Sequence, residues 1–168
     1  MTERAIPRRA ISPVIIKDLW SPGEIYAYLA GLFDGEGSIN MHNRIHHGAN
    51  EFDITLRIGG CDRSIPDLFK SCFGFGYVTT YKPNNPRARP CFLYIATQRK
   101  VLTICKILIK YLHTKKPQVD LVIQFYNLNK TALGRRLTPE ELRIRNEFEA
   151  RSKELNKRGL NNDRKGPS

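Results

Sequence analysis

A chain of 168 residues with 40% apolar content is long enough to bury one core. Its 28 Lys and Arg against 16 Asp and Glu leave a net charge of +12, which draws the protein towards polyanions, nucleic acid first. No apolar run approaches the roughly 20 residues of a spanning helix, and no signal peptide opens the chain, so a membrane partner is not expected.

Residues 1–20 hold Arg4, Arg8, Arg9 and Lys17, with Pro7 and Pro13 set against a long helix. They read as a basic arm, disordered or lying on DNA, with a transit peptide as the weaker alternative because Glu3 and Asp18 sit within it. Ser21-Pro22-Gly23-Glu24 is a capping box with proline at the first helical position. The helix it starts carries Ile25, Tyr28, Leu29, Leu32 and Phe33 at helical spacing. Gly31 and Gly35, four apart, leave a face that another backbone can approach. Asp34 and Glu36 fall where Gly35 and Gly37 end the helix, and an acid there opposes the helix dipole. An unfavourable acid at a helix end suggests a metal ligand.

Ser38 to His46 alternates with Ile39, Met41 and Ile45 on one face; His47 to Asn50 reads as a turn; Phe52, Ile54, Leu56 and Ile58 alternate again. That is a hairpin with one apolar and one polar face. Ser64 starts a short helix with Ile65, Leu68, Phe69 and Cys72, which Gly74 stops. Gly76 to Tyr81 and Pro90 to Thr97 form a second hairpin, with Val78, Leu93 and Ile95 inward and Tyr77, Thr79, Tyr81 and Tyr94 outward. A third helix carries Val101 to Leu112, and a fourth lies near 117–128. Thr138-Pro139-Glu140-Glu141 begins a last helix, read as mostly solvated, with Glu141–Arg145, Glu147–Arg151 and Glu149–Lys153 at i,i+4. The chain thus divides into the arm, one domain over 21–157 and a disordered tail over 158–168.

Two candidate metal clusters lose on chemistry. Cys61, Cys72, Cys91 and Cys105 show no C-x-x-C pairing and read as buried free thiols of a reducing compartment. His42, His46 and His47 lack a matching downstream set and read as polar contacts from a strand.

The nine residues Leu29-Ala30-Gly31-Leu32-Phe33-Asp34-Gly35-Glu36-Gly37 resemble the signature of the LAGLIDADG homing endonucleases, with Glu36 in place of the second aspartate. The order helix, hairpin, helix, hairpin, helix is similar to that family's αββαββα core over roughly residues 22–128. The resemblance implies an α+β fold with an antiparallel β-saddle, here with extra helices at the C-terminal side. It further implies that a single-motif chain works as a homodimer, with Gly31, Asp34 and Gly35 at the interface. Glu36, with the Gly35 carbonyl, becomes the ligand of a catalytic divalent cation, Mg²⁺ or another. Lys115, in Thr114-Lys115-Lys116-Pro117-Gln118, resembles the family's basic active-site residue; Lys116 is its rival. Asp34, two residues from Glu36, should not face the same ion and reads as a helix-end and dimer-contact residue. Gly60 stands where the family often places a water-positioning glutamine.

The implied activity is site-specific cleavage of double-stranded DNA at a long pseudo-palindrome, starting intron mobility. The outward strand faces offer Asn40, His42, Arg44, His46, Thr55, Arg57, Tyr77, Thr79 and Tyr81 to base edges. Lys82, Arg87 and Arg89 in the second loop suit phosphates, while Glu51 and Asp53 look misplaced beside a polyanion, though an acid can accept from cytosine N4. The alternative is a maturase that binds intron RNA without cutting; a DNA-binding regulator on the same fold is a third reading. Family habit implies a chloroplast or a mitochondrion.

Overall fold

The computed structural model describes residues 20–46, 49–82, 89–128 and 137–157. The expectations for the basic arm before Trp20, for the tail from 158 onward, and for His47 and Arg87 lie outside the described residues. So do those for the side chain of His46.

Helix α1 spans Pro22–Glu36, and the capping box forms as the sequence predicts. Glu24 Oε2 accepts from the Ser21 amide at 2.8 Å and from Ser21 Oγ at 2.6 Å, and the Glu24 amide donates back to Ser21 Oγ at 3.4 Å, so the Ser21 and Glu24 amides at the helix start are both satisfied. Strands β1 (Gly37–His46) and β2 (Ala49–Gly60) follow, then α2 (Ser64–Phe73), β3 (Tyr77–Tyr81) and β4 (Cys91–Thr97). Helices α3 (Arg99–Leu108), α4 (Lys116–Leu128) and α5 (Pro139–Leu155) complete the chain. The four strands make one antiparallel sheet in the order β1-β2-β4-β3. This is the α+β, αββαββα arrangement with added C-terminal helices.

One face of the sheet carries the core. Ile39 and Met41 of β1, Phe52, Ile54, Leu56 and Ile58 of β2, and Tyr94 and Ala96 of β4 are buried with Leu29, Phe33, Phe69, Ile104 and Val122 from the helices. The register pairs Ile39 with Leu56, Leu56 with Ala96, and Ile58 with Tyr94, so alternate residues line the opposite, outward face.

Three expectations are corrected. Ala49 and Asn50 belong to β2, pairing with His46 and Ile45, rather than to the turn. Strand β4 has the opposite phase: Tyr94 is buried and Leu93 and Ile95 share the outward face with Tyr77 and Thr79. The Tyr94 hydroxyl donates to the Phe75 carbonyl at 3.1 Å, so a tyrosine fits the core without an orphan donor. Burial pushes its pKa up to about 12. Finally, α5 is not merely solvated. Phe148 is buried edge-on to Phe125, and Asn156 just past the helix donates to the Ile39 carbonyl at 2.6 Å. The Glu149–Lys153 pair forms at 2.6 Å, but Glu147 pairs with Arg143.

Candidate functional site

The two acids at the end of α1 have different fates. Asp34 turns back on its own chain: Oδ1 accepts from the Lys115 amide and Oδ2 from the His113 amide, both at 2.8 Å. Those amides lead into α4, so the carboxylate sits where a helix start favours negative charge. Lys115 reciprocates. Its Nζ donates to the Asp34 carbonyl at 2.5 Å, setting a cation on the C-terminal end of α1. The dipole penalty expected for Asp34 is thereby removed, and its helix-end role has a physical cause. The same exchange fixes Lys115, half-buried, against the motif turn; Lys116 is exposed.

Glu36, the last residue of α1, is exposed, and no described residue bonds or pairs with its carboxylate. Gly37 behind it donates its N–H to the Phe33 carbonyl and starts β1. A Cβ there would lie 2.1 Å from Phe33 Cδ2 and 2.6 Å from Phe33 O, so only glycine lets the chain turn from helix into strand. At Gly31 and Gly35 a Cβ would meet nothing within 4 Å, and both residues are exposed. The small-residue face of α1 is thus uncovered within one chain.

Glu36 and the Gly35 carbonyl are hard oxygen donors of the kind that suits Mg²⁺ or Ca²⁺. Among the described residues no three His, Cys, Asp or Glu side chains gather as a metal cluster. With Asp34 engaged by amides, Glu36 is the free carboxylate at the end of α1 among the described residues, which fits a half-site that needs further oxygens from elsewhere. Gly60 lies at the same end of the sheet, two residues past Ile58, which pairs with Gly37. A Cβ at Gly60 would have the Asp62 amide as its nearest neighbour at 3.9 Å, so a larger side chain has room there.

The outward face is uneven. Arg44, exposed, is held by two acids: Nε lies 2.8 Å from Asp53 Oδ2 and Nη2 3.3 Å from Glu51 Oε2. Asp53 is held in turn by Gln98, whose Nε2 donates to Asp53 Oδ1 and to the Phe52 carbonyl, each at 3.1 Å. The Gln98 amide donates to the Ile54 carbonyl at 2.8 Å. Two of these bonds occupy carbonyls of the β2 edge where β4 has ended, and all three bind Gln98, which has a φ of 56°, a conformation that favours glycine. Glu51 and Asp53, which the sequence made look misplaced, are therefore orienting partners of Arg44.

Along the outer edge of β1, α5 engages the other polar residues. His42 Nδ1 lies 3.8 Å from Glu149 Oε1, and Asn40 Oδ1 accepts from Asn156 Nδ2 at 3.4 Å. Glu149 also accepts the Asn43 amide at 3.1 Å. Burial raises the Glu149 pKa, but the Lys153 ammonium, that amide and His42 together hold it below its usual value. Sequence reasoning missed this bracing because α5 shows few apolar residues. By contrast Thr55, Arg57, Tyr77, Thr79, Tyr81, Lys82 and Arg89 have no side-chain bond or ion pair among the described residues. Tyr77 and Tyr81 are more than half exposed, at 54% and 51%.

The LAGLIDADG endonuclease family model matches residues 29–124, more than half of the chain. No curated protein matches. Among solved structures, the homing endonuclease I-CvuI, in complex with a DNA target in the presence of Mg²⁺, superposes with a TM-score of 0.64 at 19% identity. The match covers 80% of this chain and 83% of that one. The archaeal intron-encoded homing endonuclease I-Vdi141I, complexed with DNA, gives 0.67 at 16% identity over 83% and 88%. The LAGLIDADG homing endonuclease I-GzeII, in complex with a DNA target, gives 0.61 at 21% over 74% of this chain and 43% of that one. At these identities the likeness is one of fold.

Proposed function

The chain belongs to the LAGLIDADG endonuclease family, and on that premise we propose that it is a site-specific, Mg²⁺-dependent endonuclease that cuts double-stranded DNA as a homodimer. The observation that carries this reading is Glu36, an exposed acid at the end of the motif helix with no partner among the described residues, beside an Asp34 that is fully engaged. An acid kept free at such a point serves a ligand from outside the chain.

Glu36 and the Gly35 carbonyl would hold the cation. When bound, it neutralises the scissile phosphate and makes water a usable nucleophile near neutral pH. Lys115, fixed on the Asp34 carbonyl, contributes positive charge beside the developing phosphate charge. The open Gly31–Gly35 face of α1 accepts the same face of a second copy, so each Glu36 serves one strand of the duplex. The outward strand faces then lie along the major groove of a long pseudo-palindrome, where base edges are distinguishable. Cutting an intronless allele would start intron mobility, in a chloroplast or a mitochondrion. Gly60, with no side chain to position water, favours a second reading, the RNA-binding maturase.

One assay separates the two. The purified chain is incubated with Mg²⁺ and DNA carrying the intronless host allele, and a double-strand break at one site is expected. Glu36→Gln should abolish cleavage and leave duplex affinity near that of the unsubstituted protein. Full cleavage by that variant refutes the assignment of Glu36. Intron RNA binding without any cleavage supports the maturase.

A further inference from the structure

Four cysteines occur in the chain, and the expectation that they are buried thiols holds for only one of them. Cys105 lies buried on α3, where burial pushes its thiol pKa up to about 12. Cys61 is exposed just past the end of β2, and Cys91, half-buried, is the first residue of β4. Gly60 pairs with Phe92, so Cys61 and Cys91 stand opposite each other one step beyond the last paired residues of the two strands. Their Sγ atoms are 3.7 Å apart. Both belong to the outward phase of the sheet, and Cys91 faces Tyr81 on its other side.

We propose that Cys61 and Cys91 form a reversible dithiol–disulfide site, oxidised by a low-molecular-weight disulfide such as glutathione disulfide. The proposal is independent of the nuclease reading. Opposite residues of an antiparallel pair have Cα atoms about 4.5–5.5 Å apart, within the range a disulfide spans. Closing 3.7 Å to a bond of about 2.05 Å therefore needs side-chain rotation at a strand end, not movement of the sheet.

The exposed Cys61 is the attacking thiol and Cys91 the resolving one. Cys61, as thiolate, attacks one sulfur of glutathione disulfide and expels a first glutathione thiolate. Cys91, as thiolate, then attacks the Cys61 sulfur and expels the second. Two electrons pass from the protein to glutathione disulfide, and the two protons lost by the cysteines reappear on two glutathione thiols. The hydrogen bond with Cys61, and after it burial, raise the Cys91 thiol above its ordinary pKa, while the exposed Cys61 is the one that solvent reaches first. Closure links the exit of β2 to the entry of β4, beside Arg89 at the foot of the second loop.

The test equilibrates the full chain in glutathione buffers of graded potential, quenches with acid, denatures and alkylates. The reduced protein should take four alkyl groups and the oxidised protein two, with a single Cys61–Cys91 cross-linked peptide and a higher thermal unfolding midpoint. Cys61→Ser and Cys91→Ser should each abolish the cross-link and leave the remaining cysteine of the pair as a stable glutathione adduct. Glutathione adducts on both cysteines of the unsubstituted chain, or a bond between two chains in place of the internal one, would overturn the proposal.

Discussion

The two hairpins of the outward face share a backbone plan and differ in how their side chains are held. In β1–β2, Arg44 is bound by Asp53 and Glu51, Asp53 by Gln98, His42 by Glu149 and Asn40 by Asn156. In β3–β4, Tyr77, Thr79 and Tyr81 stand exposed with no such bonds among the described residues. Organised donors lose less freedom on meeting a ligand, whereas unheld ones adapt to whatever they meet. On the proposed DNA-cutting function, the first hairpin would read and the second accommodate, with Arg57, a guanidinium of β2 without a bond among the described residues, between them.

The largest effect that tests this contrast should come from Arg44→Ala. It removes a cation and leaves Asp53 and Glu51 facing a polyanion, so duplex affinity should fall by more than with Arg57→Ala. One base position per half-site should relax by on the order of 1–3 kcal/mol. Arg44→Ala combined with Asp53→Asn should recover part of the affinity but none of the preference. Equal losses for Arg44→Ala and Arg57→Ala on every sequence would erase the distinction between held and free guanidinium groups.

Acid should loosen the brace on β1. The Glu149 pKa is lowered on folding from its ordinary 4.5, so its contribution is fully present above that pH and disappears as pH falls through the folded value. Protection of the Asn43 amide, measured by hydrogen exchange and corrected for intrinsic rate, should drop over that acid window. In Glu149→Gln the drop should be absent. Smaller still, Tyr81→Thr should shift folding stability by no more than about 0.5 kcal/mol, as expected for an exposed side chain without partners. Lys82→Ala should leave stability unchanged and weaken all sequences alike. It should flatten the log–log salt dependence of binding by roughly one unit.

Local signals were legible and distant ones were not. The capping box at Ser21, the αββαββα order and the phase of β1–β2 could be read because each rests on neighbours in sequence. Strand β4 could not be phased: Cys91-Phe92-Leu93-Tyr94-Ile95-Ala96 is apolar on both faces, and the groups that receive Tyr94 inside, the Phe75 carbonyl, the bare Gly76 and the Phe69 ring, lie 18 to 25 residues earlier. The i,i+4 pattern of α5 hid Phe148 and Glu149, whose partners lie on α4 and β1. At the motif, Glu36 stood out as an acid in an unfavourable place. The same signal at Asp34 has another cause, since the amides that bind it lie 79 and 81 residues further on.

That separation bears on the order in which the molecule assembles. Helix α1 needs only its own residues and cap to begin, but its last turn is fixed by a contact that closes a loop of 81 residues. Contacts of such span are entropically slow to form and come after local ones. A chain growing from the ribosome must therefore add two hairpins and two helices before residue 115 exists to meet Asp34. Through that interval it carries its motif helix without the anchored turn that presents Glu36.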